Sequence, residues 1–496
     1  MINLKQAIQP HYVDSVGPLH LPIRQFSLHS AVPNDDGVFF CRSGRLNSLD
    51  FVEEAISNGA ICIVATEEEV LNKYGDFPHI TFIVVNDLAE VMTKLLEEVY
   101  RETYKGMEFY GITGTNGKTT VTYLVSSLLN RLGFKTGSVG TEGVMTHELK
   151  RKDHHKTTPT TPEAPELARI IHSFKEEAYQ SMVFEATSIA LDQQRTAFFP
   201  VDVGIFTNFS KDHIDYHKTI DHYLQSKMKL AEAADTLIYS LDEPAFEGLA
   251  EKGKPVITFS LRHPEADFYG ENIVYDESGS RFHLYVDGQK YEVYTPFVGE
   301  HNIYNVMSAC AVLYSKGIDM ERIVHEVFSV LPLRNRFQIV TIRDRRFILD
   351  FAHTPVALER TLHAARTLTE GRLIAMVNGI GLRGLEKAKH MTEIIRPDID
   401  RVVLGAEQLG HADPNDVLEA MNEALPPQIP ASQVSTATSR KEAIYECIDA
   451  SLPGDTILLT GINEPQHYKG DLIPHDDLEE IRNYFNLPCR DLSNTV

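Results

Sequence analysis

The decapeptide Gly111-Ile-Thr-Gly-Thr-Asn-Gly-Lys-Thr-Thr120 follows the apolar run 107–110 and opens a helix-patterned stretch. Glycine-rich backbone at a helix N-terminus is how a chain surrounds a polyphosphate with N–H groups. The glycines let the backbone approach, Lys118 reaches the β and γ oxygens, and the Thr119 hydroxyl is placed to ligate Mg2+. Gly114, Thr115, Asn116, Gly117, Lys118, Thr119 and Thr120 are therefore the expected ATP contacts. The general pattern G-x-x-x-x-G-K-[ST] asks for glycine at 112, where the chain has Ile112, and Gly111 falls one residue early.

Three downstream segments carry further chemistry. Glu185, in Phe184-Glu-Ala-Thr-Ser-Ile-Ala-Leu191, ends an apolar strand; there a carboxylate holds Mg2+ directly or through water, or serves as an ordinary acid at a helix N-terminus. The segment Thr207-Asn-Phe-Ser-Lys-Asp-His-Ile-Asp-Tyr-His217 crowds Asp212, His213, Asp215 and His217, a set that suits either metal ligation or ordinary polar contacts. Lys227 follows in Tyr223-Leu-Gln-Ser-Lys-Met-Lys229. Gly299-Glu-His-Asn-Ile-Tyr-Asn-Val306 enters a helix with Asn302 and Asn305 on one face, able to pair with an adenine edge or to cap the helix.

These side chains need a scaffold. At 496 residues the chain exceeds one ordinary core, and a prior of about 150 residues per domain suggests three domains. Apolar content of 43% with 24% charged residues fits a soluble globular protein. The net charge of -23 argues against nucleic acid or an anionic membrane surface as partner, and leaves room for a local basic pocket. Cys41, Cys62, Cys310, Cys447 and Cys489 are scattered without metal-ligand spacing and read as buried side chains in a reducing compartment. With no signal-like or membrane-length apolar run, the expectation is a cytoplasmic protein.

Residues 1–106 alternate strand-like runs (37–41, 61–65, 80–85) with helical segments such as 49–58, as in a small α/β domain. Residues 107–333 alternate strands (182–184, 203–207, 236–239) with helices, as a parallel sheet requires, and the phosphate loop follows the first strand. Within that block 281–286 and 290–294 flank Asp287-Gly288, a hairpin signal. Residues 334–496 place strands at 347–351, 373–377, 402–405 and 456–460, a doubly wound sheet whose ligands lie at the carboxyl ends of its strands.

The ordered set resembles the Mur ligase family, and within it the UDP-N-acetylmuramoyl-tripeptide synthetase branch. It comprises Thr113-Gly-Thr-Asn-Gly-Lys-Thr119, Thr160-Thr-Pro-Glu-Ala-Pro165, Glu185 with Ser188, Thr207-Asn208 with Asp212-His-Ile-Asp-Tyr-His217, Lys227, and Gly299-x-x-Asn302-x-x-Asn305. The resemblance implies an α/β, three-domain architecture: an N-terminal domain (1–106) for the UDP end of a precursor, a central ATPase built on a P-loop parallel sheet (107–333), and a Rossmann-like C-terminal domain (334–496) that delivers an amino acid. It implies that ATP phosphorylates a substrate carboxylate and that an amine attacks the acyl phosphate, giving an amide, ADP and phosphate. The partners are then a small-molecule acid, such as a UDP-MurNAc-peptide, and an amino acid or other amine.

Two Mg2+ ions are implied, with Lys118 and Thr119 serving the phosphates and one ion and Glu185 and His213 serving the second. Lys227 sits where the family carries a carbamylated lysine, an anionic Mg2+ ligand; the alternative is an unmodified, solvated lysine. Arg336, in Leu333-Arg-Asn-Arg-Phe337, matches the arginine of the family's P-G-R-x-E segment. Asp350 and His353 match Asp-Tyr-Ala-His-x-Pro, whose aspartate contacts the ATP ribose. Ser30, Thr160, Thr161, Ser188, His353, Arg383 and Glu464 fall at substrate-side positions.

The departures gather at the two substrate ends. His29-Ser30-Ala31 replaces the family's Asp-Ser-Arg, removing an acid and a cation. Glu407-Gln-Leu-Gly410 replaces the Asp-Asn-Pro-Arg that grips the incoming diamino acid, so no guanidinium is expected there. Gly461-Ile-Asn-Glu-Pro465 replaces Gly-Lys-Gly-His-Glu, and Gly381-Leu-Arg-Gly384 replaces Gly-Asp-Arg-Asp. A desolvated carboxylate without a partner costs several kcal/mol, so an amine held as diaminopimelate usually is does not fit. The expectation is a ligase that keeps carboxylate activation with one or both partners changed.

Overall fold

Parallel strands covered on both faces read as apolar runs, and Ala60–Ala65, Glu108–Thr113, Ser181–Glu185 and Val201–Phe206 fit that rule. The structure, a computed structural model, describes residues 1–42, 48–154 and 157–488. Cys489 lies outside the described residues, and the other cysteines are buried free thiols. The chain divides into two compact units, Met1–Phe209 with Tyr216–Thr258, and Ser210–Asp215 with Phe259–Val496.

In the first unit, Gln25–Ser27, Gly37–Phe40, Ala60–Ala65 and Thr81–Val85 run parallel, and Tyr12–Val16 is antiparallel beside Thr81–Val85. The helix expected over 49–58 is divided into a 3-10 turn Ser48–Phe51 and an α-helix Val52–Ser57. Phe51, at φ -104° and ψ 3°, leaves the helical region and offers no capping side chain.

A second sheet of this unit is ordered Arg151–Lys152, Gly143–Met145, Thr136–Gly140, Ser181–Glu185, Glu108–Thr113, Val201–Phe206, Ala234–Ser240, and is parallel from Thr136–Gly140 onward. The strand that carries the phosphate loop is flanked by Ser181–Glu185 and Val201–Phe206. The loop, Glu185 and Thr207 therefore emerge together at carboxyl strand ends. Gly111 belongs to this packing rather than to the loop: a Cβ there would lie 2.8 Å from Phe184 and 2.9 Å from Leu230. The loop's own glycines are Gly114 at φ 144° and Gly117 at φ 87°. Ile112 is inside the strand, which is why glycine is not needed there.

In the second unit, Phe268–Asp276, Gly279–Val286 and Gln289–Thr295 form an antiparallel meander. Asp287 and Gly288, at φ 49° and 73°, make the tight hairpin turn their sequence calls for. Helices Glu300–Ser315 and Met320–Val327 follow. A further sheet is ordered Gln338–Ile342, Arg345–Asp350, Thr456–Thr460, Leu373–Ile380, Arg401–Glu407, Val434–Ala437, parallel except for its first strand. Alternate residues feed two cores, Ile348, Ala375, Leu404 and Leu458 on one face and Phe347, Met376, Val403 and Leu459 on the other. Thr456–Thr460 inserts between Arg345–Asp350 and Leu373–Ile380, so the strand order reverses there, the place where such sheets bind ligands. The fold is thus α/β, a P-loop parallel sheet with a Rossmann-like C-terminal sheet. Among the described residues no helix is long and apolar enough to cross a membrane.

Candidate active site

The phosphate loop is held from outside itself. Asn208 accepts from Asn116 N at 2.9 Å and donates to Asn116 O at 3.0 Å, while its carbonyl accepts from Thr115 N at 2.9 Å. Thr207 Oγ1 donates to Asn116 O at 2.6 Å. Gly114 is required because a Cβ would collide with the Thr207 hydroxyl. The first bond of helix Lys118–Arg131 runs from Val121 N to Gly117 O, so the amides of its opening turn face out of the helix end, the arrangement that attracts phosphate.

Two ammonium groups meet at this loop. Lys118 Nζ donates to Gly114 O at 2.9 Å and Thr115 O at 3.0 Å, and Lys227 Nζ donates to the same Gly114 carbonyl at 2.7 Å. Lys227 is 1% exposed, with its ammonium 4.5 Å from the Tyr223 ring centre, so the solvated-lysine alternative is excluded by burial. Thr119 Oγ1 donates to Glu185 Oε2 at 3.2 Å, and Glu185 Oε1 accepts from Thr141 N at 2.7 Å. Gly140 leaves room for that carboxylate, since a Cβ would press on it. Thr119 and Glu185 thus supply adjacent hard oxygens, the donor type Mg2+ takes.

Thr160 and Thr161 border the same place. Thr161 Oγ1 donates to Glu185 O at 2.7 Å and lies 2.9 Å from Thr187 Oγ1; Thr160 Oγ1 is 3.2 Å from Thr141 Oγ1. Arg195, buried, donates to Thr161 O at 2.9 Å and pairs with Glu163 at 3.0 Å, and Arg42 reaches Glu163 from the other side at 2.8 Å. Sequence reasoning missed Thr141, Arg195 and Arg42. The only signals were Gly140 before Thr141 and Arg195 after the Glu185 segment. Ser30 donates to Glu54 at 2.5 Å.

The crowded Asp212, His213, Asp215 and His217 do not form a metal cluster: among the described residues no three His, Cys, Asp or Glu side chains group as ligands. The reason is competing partners. His217 turns to Ser188 at 3.0 Å in the first unit, whereas Asp212 pairs with Lys387 at 2.8 Å in the second. His213, at φ 52°, lies 3.5 Å from Asp212 and 3.5 Å from the Arg383 guanidinium. Glu185 and His213, expected to share an Mg2+ role, belong to different units.

Elsewhere in the second unit, Asn302 and Asn305 are buried and neither caps the helix in the usual way. Asn305 Nδ2 donates to Asn302 Oδ1 at 3.1 Å, and Asn302 Nδ2 donates to Val298 O at 2.9 Å. The Arg336 guanidinium stacks 4.3 Å from the Phe351 ring centre. Asp350 accepts from Phe337 N at 2.9 Å, Ala352 N at 3.0 Å and Thr361 Oγ1 at 2.9 Å, fixing the turn that leads to His353. Glu464 is exposed.

No arginine lies within the Glu407–Gly410 segment, and the guanidinium that reaches it comes from elsewhere in the chain and is already paired. Arg440, distant in sequence, donates to Glu407, to Thr460 O at 2.8 Å and to Asp477 at 2.5 Å, and all three charged side chains are at most 1% exposed. This guanidinium is enclosed by two carboxylates. Around it the neighbouring segments are tied together: Gln408 Nε2 donates to Pro465 O at 3.0 Å, Gln408 N donates to Gln466 Oε1 at 3.0 Å, and Gly410 N donates to His467 O at 2.8 Å. Gly410 is at φ 59°, and a Cβ there would run into Leu382.

The chain is similar to known proteins over nearly its whole length. Residues 112–313 match the Mur ligase middle domain and residues 335–463 the Mur ligase glutamate ligase domain. The chain is 30% identical over 489 residues to UDP-N-acetylmuramoyl-L-alanyl-D-glutamate--2,6-diaminopimelate ligase 2 of Clostridium acetobutylicum, covering 97% of this chain and 99% of that protein. It is 28% identical to UDP-N-acetylmuramyl-tripeptide synthetase 2 of Oceanobacillus iheyensis, covering 93% and 94%. Among solved structures, a UDP-N-acetylmuramoyl-L-alanyl-D-glutamate--2,6-diaminopimelate ligase superposes with a TM-score of 0.68 at 23% identity, covering 98% and 99%. The MurF ligase of Thermotoga maritima in complex with ADP superposes with a TM-score of 0.65 at 17% identity, covering 88% and 94%.

Proposed function

The chain belongs to the Mur ligase family and is an ATP-dependent carboxylate–amine ligase with small-molecule partners, and we propose that it activates a UDP-MurNAc-peptide carboxylate as an acyl phosphate and joins it to an amino acid amine. The observation that carries this reading is the meeting of Lys118 and Lys227 on the Gly114 carbonyl, beside the Thr119–Glu185 oxygen pair and the helix end. A carboxylate attacking a γ-phosphate brings two anions together, and cationic charge held at the loop, supplied by Lys118, offsets that repulsion. Lys118 exchanges its loop carbonyls for the β and γ oxygens, and the opening amides of helix Lys118–Arg131 hold the remaining phosphate charge.

Thr119, Glu185, His213 and Lys227 are the proposed Mg2+ ligands, Lys227 after carbamylation of its buried amine. When bound, the ions supply charge neutralisation for the transferring phosphoryl group. Asn302, Asn305, Arg336 and Asp350 are proposed for the nucleoside and phosphate side. Ser30, Thr160, Thr161, Ser188, His353, Arg383 and Glu464 are proposed for the acid and amine. In this reading residues 1–106 receive the precursor, 107–333 perform phosphoryl transfer and 334–496 deliver the amine, in the cytoplasm.

A second reading, in which the acceptor differs from diaminopimelate, is favoured by the enclosed Arg440 and by Gly410 where the family holds arginine. Phosphate release from ATP and Mg2+ with UDP-MurNAc-dipeptide and single amino acids tests both. Release stimulated by an amino acid other than diaminopimelate is the expected result. Full activity with diaminopimelate would remove the second reading, and no release with any pair would remove the first.

A further inference from the structure

Ser188, His217, His222 and Asp192, all in the first unit, form a continuous polar line. Ser188 Oγ lies 3.0 Å from His217 Nε2, His217 Nδ1 lies 3.2 Å from His222 Nδ1, and His222 Nε2 lies 3.4 Å from Asp192 Oδ1. The line is anchored at both ends by one short helix, Ser188–Asp192, which starts three residues after Glu185. Its two ends differ in depth. Ser188 and His217 are 3% and 2% exposed, whereas the Asp192 and His222 side chains are 20% and 44% exposed. One end is thus buried, three residues from Glu185 in the chain, and the other reaches solvent.

Donors and acceptors along the line match in one direction. With Asp192 ionised, His222 Nε2–H faces the carboxylate, His222 Nδ1 accepts from His217 Nδ1–H, and His217 Nε2 accepts the Ser188 hydroxyl proton. Burial works against ionisation of Asp192, but Lys229 at 3.0 Å and the Tyr216 hydroxyl at 3.0 Å hold its carboxyl below the usual range. The Ser188 lone pairs then face away from His217. The His217 carbonyl, 3.2 Å from His222 Nδ1, is ready to accept once that nitrogen gains a proton. Ser226 Oγ lies 3.4 Å from His217 Nδ1, and the Tyr216 and Tyr223 rings flank the His217 ring.

We propose that this line is a proton relay which carries the proton released during amide formation from the buried site to solvent. The inference rests on the ligase reading above. When a neutral amine attacks the acyl phosphate, the nitrogen–carbon bond forms, the carbon–oxygen bond to phosphate breaks with its electron pair leaving on phosphate, and the nitrogen sheds one proton. Ser188 Oγ takes that proton as it gives its own to His217 Nε2. His217 passes its Nδ1 proton to His222, whose cation stands beside Asp192 and discharges to water. Ser188 is thus a catalytic residue, and the other three act through it.

The test separates activation from amide formation. UDP-MurNAc-dipeptide, ATP and Mg2+ are supplied with hydroxylamine, which traps the acyl phosphate as a hydroxamate, or with a mixture of the standard amino acids. His222→Gln and Asp192→Asn alter the partly exposed end of the line, where folding is least at risk. Both variants are expected to keep wild-type hydroxamate yield and unchanged KM for ATP and acid. Amide formation should fall about 10-fold or more, with an altered solvent deuterium isotope effect on kcat and partial recovery with added imidazole. Unchanged kcat and isotope effect, or a change confined to KM, overturns the relay. Absence of hydroxamate from the wild-type protein overturns the ligase reading itself, and the relay with it.

Discussion

At the phosphate loop Lys118 and Lys227 both donate to the neutral Gly114 carbonyl, whereas at the carboxyl ends of the second unit's sheet Arg440 is enclosed by Glu407 and Asp477. A cation resting on a carbonyl, as Lys118 does, gains by exchanging it for a phosphate oxygen, because charge-assisted bonds are about twice as strong as those to neutral acceptors. A cation between two buried carboxylates cannot turn to a ligand without leaving charge unpaired in the interior. The first arrangement suits a binding site, and the second suits a structural clasp. The contrast separates what this ligase shares with its relatives, carboxylate activation, from the part proposed to have diverged, recognition of the amine.

The sharpest way to break the contrast is at the loop. Lys227→Ala should lower turnover by about 100-fold or more while nucleotide binding, followed by fluorescent ATP analogue titration, persists. Added bicarbonate does not help that variant, but a short carboxylate placed in the cavity should restore part of the rate. Lys118→Ala should lose affinity and rate together, because its contact with the phosphates is present before and during transfer. Wild-type turnover in Lys227→Ala would remove Lys227 from the mechanism.

At the other end the expected loss is in stability. Arg440→Met leaves Glu407 and Asp477 buried without their partner and should cost about 3–5 kcal/mol in denaturant unfolding. Replacing all three with apolar residues of similar volume should recover most of that loss, since the pairing contributes little beyond cancelling its own desolvation. If Arg440→Met instead kept stability and lost only amine affinity, the clasp would be a substrate site and the contrast would fail.

The two regions were also unequally legible in the sequence. Loop residues 114–120 were readable because phosphate binding is done by backbone, and backbone geometry is written locally in glycines and in the strand-to-helix order. Strands were readable because burial on both faces leaves continuous apolar runs, as at 61–65 and 456–460. The division of 49–58 was not, since it depends on a missing cap at Phe51. Nor was the Arg440 clasp. Its members lie at 407, 440 and 477, and no periodicity links an arginine in the first turn of one helix to acids on a strand and another helix. The His and Asp crowding at 212–217 left two readings open for a related reason: adjacency in sequence places together side chains whose partners lie in different units.

The smallest expected effect concerns acid. Burial and the nearby Lys387 push the His353 imidazole from its ordinary 6.5 down to about 3, with Asp212 pulling weakly the other way. A histidine depressed in the folded state binds fewer protons there than in the unfolded chain between those two values. Stability is therefore fully present above about pH 6.5 and declines as pH falls toward 3, at most about 1.4 kcal/mol per pH unit. Asp212 adds a loss of the same sign below about pH 4: although burial opposes it, Lys387 holds that carboxyl below its usual range, and protonation breaks the pair. Between pH 6.5 and 5, hydrogen exchange across Arg345–Asp350 and Pro355–Leu368 should accelerate more than across Lys118–Arg131. His353→Gln should flatten that response and leave only the loss below about pH 4. Equal acceleration in both regions would show that acid acts on the whole chain rather than on the second unit.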